Sequence, residues 1–67
     1  FSLSLRPGWL PVDAWVEVHD AVGRRVHRQP LRAGVNSVKL AGQPGGVYVW
    51  RVVQSGQVLG VGKIVKL

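Results

Sequence analysis

Glycine and proline punctuate this chain so regularly that helix signals are nearly absent. Nine glycines and four prolines are spread over 67 residues. Between them lie short runs rich in valine, whose branched side chain suits a pleated strand better than a helix. Turn signals at a spacing of roughly 8–12 residues are the pattern of a sandwich or barrel. An all-β chain is therefore expected, forming one domain over residues 1–67. At this length a domain buries only about 60% of the surface it exposes when unfolded, so its stability margin is thin.

The alternation of side chains predicts six strands, at residues 1–5, 14–20, 24–29, 35–40, 47–54 and 57–67, joined as consecutive antiparallel hairpins. In the second strand Val16 and Val18 share one face, and Trp15, Glu17 and His19 share the other. The third strand is less regular, because Arg24 and Arg28 fall on the same face as Val26. In the fourth, Val38 and Leu40 are expected to point inward. The fifth is the most strand-like, with Tyr48, Trp50 and Val52 on one face and Val47, Val49, Arg51 and Val53 on the other. Gly60 and Gly62 stand inside the sixth, where glycine weakens a strand unless a bulge or a close approach requires it.

Catalytic chemistry has little to work with. The acids are Asp13, Glu17 and Asp20, and Glu17 and Asp20 point to opposite faces of one strand, which excludes a glycosidase pair. No serine stands in a nucleophile elbow, and no glycine spacing makes a phosphate loop. There is no cysteine, hence neither a disulfide nor a thiolate metal site. His19 and His27 lie on the two arms of one predicted hairpin, where a cross-strand pair can hold a metal. Two imidazoles without a third ligand make a weak site, and two solvent-facing histidines are the expectation. No enzyme, cofactor or metal centre is expected.

The charge balance is more informative. Nine Lys and Arg against three Asp and Glu give a formal net charge of +6, which favours polyanionic neighbours. Arg24, Arg25, Arg28 and Arg32 cluster around one hairpin. A basic barrel that binds single-stranded nucleic acid is one reading, but Tyr48 and Trp50 sit on a strongly apolar strand and suit a core better than a stacking platform. Nucleic acid is thus not the partner expected on these residues. No apolar run approaches the roughly 20 residues that span a bilayer. The chain starts at Phe1, contains no Met, and reads as a piece of a longer protein.

The C-terminal half carries a more specific pattern. It runs Gln43, Pro44, Gly45, Gly46, Val47, Tyr48, Val49, Trp50, Arg51 and Val52, then the turn Ser55, Gly56, Gln57, then Gly62, Lys63, Ile64, Val65, Lys66 and Leu67. Upstream, Val16, Glu17, Val18, His19, Asp20, Ala21, Val22, Gly23, Arg24, Arg25 and Val26 make an aliphatic-rich hairpin with an Asp-x-x-Gly-Arg turn. Gly34, Val35 and Asn36, with Val38 to Leu40, make the strand that follows. Taken in order, these segments resemble the C-terminal sorting domains (type A) of the type IX secretion system, over nearly the whole chain. Trp50 stands where that family usually has an aliphatic residue, and the family's opening Pro-Asn-Pro segment and first strand are missing.

The resemblance implies an Ig-like antiparallel β-sandwich, short of one strand, at the end of a longer exported cargo. It implies transit through the periplasm to the outer-membrane surface or the medium. The implied partners are the outer-membrane translocon, its shuttle protein and a sortase-like peptidase that commonly removes the domain, with anionic lipopolysaccharide nearby. The residues it marks for recognition are Gly45, Gly46, Tyr48, Gly56, Lys63, Ile64, Val65, Lys66 and Leu67, the terminal Lys66 and Leu67 above all. The alternative is an Ig- or fibronectin-like carbohydrate- or surface-binding module, which would use Trp9 and Trp15 as an exposed aromatic platform.

Overall fold

A computed structural model describes all residues, 1–67. It is all-β, with six strands: β1 (Ser2–Ser4), β2 (Ala14–His19), β3 (Arg25–Pro30), β4 (Val35–Ser37), β5 (Gly46–Gln54) and β6 (Gln57–Lys66). They form two antiparallel sheets that pack as a β-sandwich. One sheet is β1-β4, and the other has the order β3-β2-β5-β6.

Each strand stands near its expected place, though β1 is confined to Ser2–Ser4 and β4 stops at Ser37 short of Leu40, and the strands are not joined as consecutive hairpins. Only β2–β3 and β5–β6 are hairpins. β4 leaves β3 to pair with β1, and β5 returns to lie beside β2. Burial explains the order. β2 and β5 carry the richest apolar faces, and pairing them sets Val16 opposite Val52 and Val18 opposite Trp50 at the sheet centre. β3, with Arg25, His27, Arg28 and Gln29, belongs at an edge.

The core comprises Ala14, Val16, Val18, Leu31, Val38 and Tyr48, with Leu3, Leu5, Trp9, Val26, Leu40, Trp50 and Val52 packed around it. Val16, Val18 and Val38 are fully buried, each contributing roughly 1.5–3 kcal/mol relative to exposure. Val26 reaches this core through a bulge. His19 pairs with Arg25 while Val18 pairs with His27, so Val26 is the extra residue. The irregularity lets Val26 lean inward while Arg25 and Arg28 stay exposed, and it breaks the expected grouping of Val26 with Arg28.

Turn chemistry sets both hairpins. Asp20 accepts from the backbone N–H of Val22 (3.1 Å) and Arg24 (2.9 Å) through Oδ1, and from Arg24 Nε (2.9 Å) through Oδ2. Desolvation acts to raise its pKa. The Arg24 N–H, guanidinium and charge, together with the Val22 N–H, outweigh it and hold the carboxyl below the usual carboxylate range. At the β5–β6 turn, Ser55 (φ 49°) and Gly56 (φ 83°) both take positive φ, as a two-residue hairpin that follows strand twist requires. Buried Asn36 closes the turn before β4, accepting from Arg32 N (2.8 Å) and donating to Arg32 O (2.9 Å).

Candidate recognition surface

The residues marked for recognition lie on β5, β6 and the loop before them, and the structure divides them by role. Tyr48 is a core residue, 3% exposed, and its hydroxyl donates to the Pro44 carbonyl. Ile64 is half-buried on the inner face of β6. Gly45 lies against the end of β6, where a Cβ would stand 3.2 Å from the Lys66 carbonyl oxygen. Gly46 begins β5 opposite Lys66, and Gly56 makes the turn. These five hold the hairpin in shape.

Lys66 is half-buried. Its ammonium donates to the carbonyls of Leu40 (2.7 Å) and Gln43 (2.5 Å), clamping the 41–45 loop against β6. Hydrogen bonds from a charged donor are worth about 1.5–3 kcal/mol. The side chains left free are Lys63, Val65 and Leu67, all exposed. Lys63 and Val65 project from the outer face beside Val49 and Val47. Lys63 and Lys66 thus fall on different sides of the strand, as alternation requires, and only Lys63 offers a free charge.

Sequence reasoning passed over three supports of this surface. The Trp50 indole lies across Gly62, where a Cβ would clash at 2.3 Å from its nearest ring atom, and is 3.8 Å from a Cβ position at Gly60. This is the close approach that the glycines of β6 serve, and it makes room for the Trp50 ring. Gln54 Nε2 donates to Leu10 O (3.3 Å) and Val12 O (3.0 Å), tying the first loop to β5. On β6 Leu59 is an extra residue, because Gly60 pairs with Val52 and Val58 with Val53.

A groove of about 300 Å³ opens between the sheets, lined by Leu3, Leu5, Trp9, Trp50, Val52 and Leu59 among others, with Arg6 also on its wall. Trp9 belongs to this inner side. Trp15 lies on the opposite face of the larger sheet, under the Arg28 guanidinium 3.7 Å from its ring centre. The two tryptophans form no common platform. Tyr48 and Trp50 are likewise turned to the core.

His19 and His27 do not face each other. His19 is on the outer face, where Arg51 Nη2 stands 3.4 Å from its Nε2. Arginine only donates, so Nε2 is the acceptor in that contact, while Nδ1 is buried without a partner. His27 lies on the inner face opposite Val18, and its Nε2 is 2.7 Å from Gln29 Oε1. Gln29 Nε2 donates to Ser37 O (3.2 Å), stitching β3 to β4. Both rings are half-buried rather than solvent-facing, and the bulge at Val26 is what separates them. No three His, Asp or Glu side chains converge.

No family model, curated protein or solved structure matches the chain.

Proposed function

We propose that this domain is a non-catalytic C-terminal secretion signal. It marks a cargo for the type IX translocon and its outer-membrane shuttle, is removed by a sortase-like peptidase, and travels through the periplasm to the outer-membrane surface or the medium. The observation that carries the reading is the β5–β6 hairpin. Its ordered Pro-Gly-Gly-x-Tyr, Ser-Gly and Lys-Ile-Val-Lys segments resemble the ending of such sorting domains. They fold into a braced hairpin whose last strand is an open sheet edge. A signal read by its end needs that combination: rigidity behind the strand and accessible backbone along it.

Two of the three acids support a structural role for the rest of the domain. Asp20 is committed to its turn, and Glu17 lies 3.6 Å from both Arg25 and Arg28.

The test is localisation. Residues 1–67 are fused to a fluorescent reporter in a host with a type IX system and in the same host lacking the translocon. Delivery to the surface or medium only in the first host supports the reading, and removing Lys63 to Leu67 then abolishes it. Periplasmic retention in both hosts removes it.

A further inference from the structure

β6 is the longest strand and has no neighbour beyond it. On its free side every second residue presents an unpaired N–H and C=O, a repeat of roughly 7 Å that only another extended backbone matches along its length. Apart from the Leu59 bulge and Lys63, the usual guards of an exposed edge are missing. β6 has no proline, and the amine of Lys66 is drawn to loop carbonyls. Val58, Val61 and Val65 are each more than half exposed. Lys63 is the one charged side chain left to discourage pairing.

Charge selects among possible strands. Of the nine Lys and Arg, only Arg24, Arg25 and Arg28 contact a carboxylate. Neither β5 nor β6 contains an acid, while Arg51 and Lys63 lie on their shared outer face. A second copy would bring together two chains of formal net charge +6 with nothing at this edge to offset them. A strand carrying an acid finds a free cation instead.

We propose that the free edge of β6 receives an extended strand from another polypeptide, alternating apolar residues and carrying a carboxylate opposite Lys63. This rests on the reading of β6 as the recognised strand and specifies the chemistry of what reads it. The added strand continues the four-stranded sheet. Its outward apolar side chains cover Val61 and Val65 on either side of the carboxylate.

The test uses the isotope-labelled domain and two synthetic peptides of about the length of β6. Both alternate valine and threonine; one has a central glutamate and the other a lysine there. The glutamate peptide is expected to slow amide exchange along β6 and leave β3 unchanged. It should bind about fivefold more tightly than the lysine peptide, since a favourable cross-strand pair replaces a like-charge one. Lys63→Glu, at an exposed position that leaves the core intact, should reverse the preference. Absence of binding, indifference to charge, protection on β3, or β6 protection by self-association without peptide would each overturn the proposal. A reporter exported by a domain that binds neither peptide removes this inference and leaves the sorting reading standing. Charge-selective binding by a domain that directs no export does the reverse.

Discussion

β3 and β6 are the two edges of the same sheet, and they meet the same hazard differently. β3 has six residues, ends in Pro30 and is broken by the Val26 bulge. Its Arg25 and Arg28 reach Glu17, and Arg28 also covers Trp15. Gln29 ties it to the smaller sheet. β6 has ten residues, no proline, exposed valines and a single free charge. Short length, proline, bulges and cations are ordinary defences against edge pairing. β3 gathers them, whereas β6 has only the Leu59 bulge and Lys63. What reinforces β6 lies behind it: the Tyr48 ring, the Trp50 indole and the Lys66 clamp. One edge is closed, and the other is stiffened and left open.

The contrast can be broken from the inside outward. Tyr48→Ala removes the largest support of the β6 side and should cost roughly 3–5 kcal/mol, as buried aromatic truncations do. Denaturant unfolding reads it, and an unchanged midpoint would place the ring outside the core. Gly62→Val pushes a branched side chain into the space held by the Trp50 indole. The expected loss is about 1–3 kcal/mol, typical of overpacking. Combining it with Trp50→Leu should recover part of that loss, and no recovery would separate the glycine from the indole.

Lys66→Met keeps the aliphatic stem and deletes the clamp. A stability loss of about 1–2 kcal/mol is expected for two charged hydrogen bonds in a partly solvated site. Amide exchange should rise in the 41–45 loop while β3 stays protected. An unaltered loop would make Lys66 a presented side chain rather than a brace.

The smallest effect belongs to the β2–β3 turn, at the closed side. Asp20 has a folded pKa below its unfolded value, so its contribution is complete above about pH 4 and is lost as pH falls through the folded value. Asp20→Asn should therefore flatten the acid limb of the stability curve and leave β6 exchange untouched. Identical acid limbs in the two proteins would show that the turn carries none of the pH dependence.

Much of this was legible in the chain. Period-two alternation located all six strands, because a side chain's face depends only on its position in the strand. It also placed Tyr48, Trp50 and Val52 in the core. Local turn chemistry was equally readable: Asp20 with Gly23, and Ser55 with Gly56, act within a few residues of themselves. The Val26 bulge escaped because one inserted residue shifts the register without changing composition. That single shift moved His19 and His27 to opposite faces and freed Val26 from its arginine neighbours.

Neighbouring residues were enough to place the strands, the hairpin turns and every face outside the Val26 bulge. Tertiary structure decided which strands became neighbours, because β2 and β5 had to bring their apolar faces together across the intervening 26 residues from 20 to 45. It also decided what Lys66 does. Its partners are backbone carbonyls 23 and 26 positions away, and every residue has a carbonyl, so no residue type marks them. The glycines of β6 were visible as an anomaly from the start. Only the register that sets Trp50 opposite Gly62 supplied the reason, a ring that needs the space a side chain would fill.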